Sequence, residues 1–126
     1  MVLYFSKMSE HDDLVKQGEQ LAVDYLVKEG YKIVERNWRF QRAEIDIIAS
    51  KQEKTIAIEV KTRSSKDFGD PQSFVNSKKI KLMVLAMNQY VVMRNLDVEV
   101  RFDIIAITKN RTSFDIEHLK DAFLYF

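Results

Sequence analysis

A chain of 126 residues with a formal net charge of +1 has the length of one domain and no global charge that announces a nucleic-acid or membrane partner. It holds no cysteine, which excludes disulfides and thiolate-bound zinc or iron–sulfur sites. Its hydrophobic fraction of 46% and charged fraction of 31% are those of an ordinary globular domain that buries a core without a structural metal. The two histidines, His11 and His118, stand at opposite ends of the chain and argue against a multi-histidine metal site or a Ser-His-Asp triad. The opening MVLYFSKM is too short an apolar run for a signal peptide or anchor, and no later segment approaches a spanning length. With the missing cysteines, this predicts a cytoplasmic protein with no membrane partner.

Taken in order, Ser9 and Asp12 resemble a capping box. Apolar residues at 14, 15, 21, 22, 25 and 26 predict a helix over 10–29, stopped by Gly30. YKIVERNWRF (31–40) predicts a strand, and AEIDIIAS (43–50) and TIAIEVKTR (55–63) the next two. SSKDFGDPQ, with Gly69 and Pro71, reads as a loop. Residues 75–93 predict a second helix, with Val75, Leu82, Leu85, Ala86 and Val92 among its apolar positions. VEVRFDIIAIT (98–108) predicts a long strand, and the tail a short strand and a final turn. The order is α-β-β-β-α-β-β, without repeat, linker or domain boundary. Residues 28–81 carry 13 Lys/Arg against 8 Asp/Glu, so the middle is basic and the remainder acidic. Such a stretch could meet phosphate, but on charge alone a solvated surface is the commoner explanation.

The second and third strands carry charges where strands favour β-branched and aromatic side chains. Alternation puts Ile45, Ile47 and Ala49 on one face of the second strand and Glu44, Asp46 and Ile48 on the other. In the third, Ile56, Ile58 and Val60 oppose Ala57, Glu59 and Lys61. A hairpin closing at Gln52-Glu53 pairs residues whose numbers sum to 105. Asp46 then faces Glu59, and Glu44 faces Lys61. Carboxylates with Cβ atoms about 5 Å apart repel by roughly 3 kcal/mol at an effective dielectric near 20. A divalent cation between them reverses the sign, and Mg²⁺ takes one or two protein carboxylates plus substrate phosphate. One wet sheet face would give the same alternation. Against that, Ile48 and Ala57 share the face with the charges. Glu19, with Val15, Ala22 and Leu26 at −4, +3 and +7, projects along the apolar stripe of the first helix.

An ordered set of motifs runs from about residue 16 to 123: G-E-x-x-A-x-x-Y-L-x-x-x-G-Y (18–31), R-N-x-R (36–39), E-I-D-I-I-A (44–49), E-V-K-T-R (59–63), the Lys78 region, R-F-D (101–103) and K-D-A-F (120–123). The set resembles the YraN-like family, uncharacterised bacterial proteins regarded as predicted endonucleases. Its D-x12-E-x-K element (Asp46, Glu59, Lys61) is similar to that of PD-(D/E)XK nucleases, and within them most like archaeal Holliday-junction resolvases. The resemblance implies one α/β domain over 1–126, residues 1–8 being an N-terminal extension. Its fold would be restriction-endonuclease-like, an αβββαβ core with a central mixed sheet flanked by helices. It implies Asp46 and Glu59 as metal-binding carboxylates, Lys61 as the lysine of the E-x-K element and Glu19 as the helix glutamate. The family usually has glycine before E-I-D, where this chain has Ala43.

The expected activity is Mg²⁺- or Mn²⁺-dependent hydrolysis of phosphodiester bonds in DNA, branched or structured DNA included, with no small-molecule cofactor. Asp46, Glu59 and the carbonyl of Val60 are the expected metal ligands, with Glu19 completing the shell. Lys61 would orient the attacking water or offset charge on the phosphate. Arg36, Arg39, Arg42, Arg63 and Lys78 are candidates for backbone contacts. Trp38 is a candidate for stacking on an unpaired base, or a packed aromatic at a strand end. Two rivals stand beside this reading. One is a non-catalytic nucleic-acid-binding module. The other is a protein-interaction domain whose apolar ends, VLYF and AFLYF, self-associate; resolvase likeness would favour a two-fold homodimer.

Overall fold

Helix α1 spans Val2–Lys28 and stops where Gly30 takes φ 91°. The amides of Gly30 and Tyr31 bond back to the carbonyls of Val27 and Leu26 at 3.1 and 2.9 Å, closing the helix end as only a left-handed residue permits. The computed structural model describes residues 2–64 and 75–123, with side chains from residue 10 onward. The helix starts well before the expected residue 10, because residues 2–9 contain no glycine or proline to break it. Strands β1 (Lys32–Phe40), β2 (Ala43–Lys51) and β3 (Lys54–Ser64) follow, then helix α2 (Ser77–Met93) and strands β4 (Glu99–Lys109) and β5 (Phe114–Leu119). This is the expected element order. Most of the loop expected at SSKDFGDPQ lies outside the described residues.

The five strands form one mixed sheet in the order β1-β2-β3-β4-β5. β3 and β4 are parallel, and the other neighbours antiparallel. The parallel pair requires a crossover, which α2 supplies. Ala22 and Leu26 of α1 pack on one face, against Tyr31, Ile47, Ala49, Ile56, Ile58, Ile105 and Ile107. Met83, Ala86, Met87 and Tyr90 of α2 pack on the other, against Ala43, Ile45, Ile48, Ala57 and Ile104. The chain is therefore an α/β fold with a central sheet flanked by helices. Among the described residues, no helix is long and apolar enough to cross a membrane.

Three points about faces follow from the packing. The face that carries Ile48 and Ala57 is covered by α2, in line with the argument that it is more than a wet face. Ile45 does not share a face with Ile47 and Ala49, since it joins the α2 cluster while they join the α1 cluster. The alternation slips at Asp46. In β1, Arg36 and Trp38 pair with Ile47 and Ile45, and Asn37 between them takes φ 52°. A left-handed residue inside a strand turns the neighbouring side chains away from strict alternation. Third, Leu85 and Val92 of α2 are exposed (44% and 64%), and the core stripe runs through 83, 86, 87 and 90 instead.

α1 crosses β3 at Gly18. A Cβ there would stand 1.8 Å from Thr62 Oγ1 and 2.9 Å from Thr62 Cβ. That close approach sets the neighbouring Glu19 against the sheet. Gly18→Ala is therefore expected to lower stability by about 1–3 kcal/mol, although alanine is the better helix former. Thermal denaturation checks this. Thr62→Ala is expected to relieve only part of the loss, because the Thr62 Cβ is itself too close.

Candidate metal and nucleic-acid site

The β2–β3 hairpin turns at Gln52 and Glu53, both at positive φ (51° and 65°), a two-residue turn made without glycine or asparagine. Its register runs from Lys51↔Lys54 to Ile47↔Ile58, as expected from the sequence. Just past that point the amide of Val60 donates to Asp46 Oδ2 at 2.8 Å. Asp46 thus satisfies a backbone donor with its side chain and opens the hairpin next to Glu59. Glu44 reaches the other way, to Arg39 on β1 at 3.1 Å.

Asp46 and Glu59 both line an open cleft of about 380 Å³, with Arg42, Glu44, Asn76, Lys78 and Lys79 around them. Glu59 is only 6% exposed. Burial, and then the charge of Glu59, push the Asp46 carboxyl up to about 8. The Val60 amide opposes that rise; hydrogen bonding with Glu59 and the charge of Glu19 add to it. Asp46 therefore keeps its proton near neutral pH. The acidic side chains there offer only oxygen donors. That set suits Mg²⁺ or Mn²⁺ completed by water and a phosphate. Among the described residues no group of three His, Asp or Glu side chains is arranged to hold a metal. Glu19 is not among the residues that line the cleft, where Glu44, Asp46 and Glu59 stand; it acts on Asp46 through its charge from α1.

Of the expected basic contacts, Arg42 and Lys78 line the cleft. Lys61 is exposed on β3, two residues beyond Glu59. Arg36 donates to Gln20 Oε1 at 3.1 Å, and Arg63 to Thr108 Oγ1 at 3.2 Å. Trp38 packs edge-on against Tyr90 with ring centroids 5.3 Å apart and stacks with Phe40 at 6.5 Å. Its ring belongs to the α2 cluster, which is the packed-aromatic alternative.

Sequence reasoning passed over Lys79, whose Nζ forms an ion pair with Glu59 Oε2. Asn76 caps α2 by accepting from the Lys79 amide at 2.9 Å, which fixes Lys79 in the first turn. The signal was present in the spacing. Lys79 lies four, seven and eight residues before Met83, Ala86 and Met87, so it alone of Lys78, Lys79 and Lys81 continues the core stripe.

The R-F-D motif builds a clamp on the α1 side. Arg101 Nε and Nη2 donate to Asp103 Oδ1 and Oδ2 at 2.9 and 2.8 Å, and Nη2 also to the Tyr31 hydroxyl at 2.9 Å. His118 Nε2 lies 2.7 Å from Asp103 Oδ2, and the Asp121 amide donates to Oδ1 at 2.9 Å. An ionised carboxylate only accepts, so Nε2 carries a proton, and Nδ1 shares a hydrogen bond of 2.9 Å with the Tyr25 hydroxyl. Burial pushes the fully buried Asp103 upward, but His118, Arg101 and the Asp121 amide outweigh it and hold the group below the usual carboxylate range. Both carboxylate oxygens of Asp103 are engaged within the fold, which marks a structural rather than a reactive cluster.

Comparison with known proteins agrees with the motifs. The model of the uncharacterised protein family UPF0102 matches residues 18–107. A UPF0102 protein of Flavobacterium psychrophilum is 58% identical over 119 residues, 94% of this chain and all of that protein. One of Christiangramia forsetii is 56% identical over the same share of each. One of Bacteroides fragilis is 47% identical over 92% of this chain and 96% of its own. With motif order, element order and similarity in agreement over nearly the whole length, the chain belongs to the uncharacterised family UPF0102.

Proposed function

We propose that this protein is a divalent-metal-dependent endonuclease acting on DNA, branched or structured DNA included. The observation that carries the reading is the meeting of Asp46 and Glu59 where the hairpin opens, at a cost in charge repulsion that packing alone does not explain. Asp46, Glu59 and the Val60 carbonyl would hold one Mg²⁺ or Mn²⁺, with Glu19 acting from α1. A cation held there lowers the pKa of bound water and offsets charge on a phosphate. Asp46 must surrender its proton for this, so metal affinity rises with pH. Lys61 would donate to the attacking water or to a phosphate oxygen. Arg42 and Lys78 would hold the flanking backbone without reading sequence. Hydrolysis adds the water oxygen to phosphorus and returns a proton to the leaving oxygen.

One observation favours a second reading. Lys79 already neutralises Glu59, which suits a non-catalytic nucleic-acid-binding module. A single experiment separates the two. Four-way, flapped and linear DNA are incubated with the full chain and Mg²⁺ or Mn²⁺. The nuclease reading expects cleavage that Asp46→Ala and Glu59→Ala each reduce to background. Binding that weakens with salt, with no cleavage under either metal, would establish the binding module instead.

A further inference from the structure

We propose that Lys79 is a latch on the metal site: its ammonium holds Glu59 until a divalent cation takes its place, and then swings to the phosphate of the nucleic acid. The inference rests on the metal-dependent reading above. The Glu59 side chain is 7% exposed and that of Lys79 44%, so the pair spans the boundary between the buried strand and the open cleft. The Lys79 backbone is pinned by the Asn76 cap, while the four-carbon stem remains the movable part. The way out is the cleft, where Arg42 and Lys78 already place positive charge. An anion entering there meets Arg42, Lys78 and Lys79 beside the carboxylates of Glu44, Asp46 and Glu59.

The charges make the two positions of Lys79 exclusive. With the ammonium on Glu59, the acid pair is partly neutralised. An ammonium and a divalent ion on the same carboxylate repel strongly in a cleft of low dielectric. Either the lysine leaves or the metal stays out. A phosphate at the cleft mouth attracts the departing lysine, so metal and nucleic acid each favour the state that binds the other. The coupling is reciprocal. The free protein would hold its metal weakly and become loaded on its substrate.

The test reads metal affinity rather than cleavage. Mn²⁺ is titrated by electron paramagnetic resonance into the full chain at pH 8, with and without a short duplex of phosphorothioate DNA. Wild type, Lys79→Met, Lys79→Gln, Lys79→Arg and Asp46→Asn are compared, with circular dichroism and melting confirming that each is folded. Without DNA, Lys79→Met and Lys79→Gln are expected to bind Mn²⁺ about tenfold more tightly than wild type, a coupling of ordinary size. DNA is expected to tighten Mn²⁺ binding in wild type and in Lys79→Arg, but not in the two neutral variants. Neutral variants with unchanged or weaker Mn²⁺ affinity, while Asp46→Asn abolishes binding, would overturn the latch and leave the metal site standing. Wild-type protein without Asp46-dependent Mn²⁺ binding would overturn both.

Discussion

Asp46→Asn is expected to stabilise the protein while removing its metal binding. Asparagine keeps an oxygen to accept from the Val60 amide and presents its NH₂ to Glu59 in place of a repelling carboxylate. The direction with pH follows from linkage. The folded-state pKa of about 8 lies above the unfolded value of about 3.9. The folded chain therefore holds a proton that the unfolded chain loses between those values, and stability falls as pH rises through that window. The asparagine variant carries no such proton, so this part of the slope disappears. By pH 9 it is expected to be more stable by about 2 kcal/mol, several degrees in melting temperature. Melting curves from pH 5 to 9 check it. A variant that melts lower than wild type at pH 9 would mean that the two acids do not repel. In wild type, Mn²⁺ affinity should rise about tenfold per pH unit below 8 and level off above it.

Asp103→Ala is expected to produce the largest loss of stability. The side chain is fully buried and accepts from Arg101, His118 and the Asp121 amide at once. Its removal leaves the Arg101 guanidinium, 18% exposed, without its counter-charge. Breaking a buried pair in this way costs about 3–5 kcal/mol, or about 10 °C or more in melting temperature. The pH dependence runs opposite to that of Asp46. The folded-state pKa of Asp103 is depressed, so its contribution is complete above the unfolded value and is lost as pH falls through the folded one. Wild type should therefore lose stability in acid, and Asp103→Ala should lose less there. Asp103→Leu combined with Arg101→Met should recover much of the deficit, since an apolar pair replaces the buried charges without leaving one alone. A single alanine variant within about 1 kcal/mol of wild type would show that the clamp contributes little. Neither Asp103 variant should change Mn²⁺ affinity at temperatures where it is folded, because the clamp lies on the α1 face, away from the cleft.

The hairpin register was legible from the two-residue turn at Gln52-Glu53 as far as Ile47↔Ile58; beyond it the expected Glu44–Lys61 pair gives way to Glu44 on Arg39. Asp46 and Glu59 could thus be paired on paper, and the structure brings both to one cleft. Glu19 was legible as a carboxylate on an apolar stripe, but its distance from the others depends on the Gly18–Thr62 crossing, which no helical periodicity reveals. The assignment of Ile45 to the face of Ile47 failed because strict alternation assumes a regular extended backbone, and Asn37, between the partners of Ile47 and Ile45, takes a left-handed φ. Trp38 offered two readings, and only the packing of Tyr90 against it distinguishes them.

The sequence by itself determined the element order, the hairpin register and the family, because each depends on local periodicity or on residues kept in a fixed order along the chain. Only the tertiary structure decided that Lys79 and not Lys78 meets Glu59, that Glu44 rather than Glu19 lines the cleft with Asp46 and Glu59, and that Asp103 clamps the far side of the sheet. Those outcomes depend on how a helix rotates and crosses a sheet. Packing sets that rotation to within a few degrees, while a sequence pattern records only which face of each element is apolar.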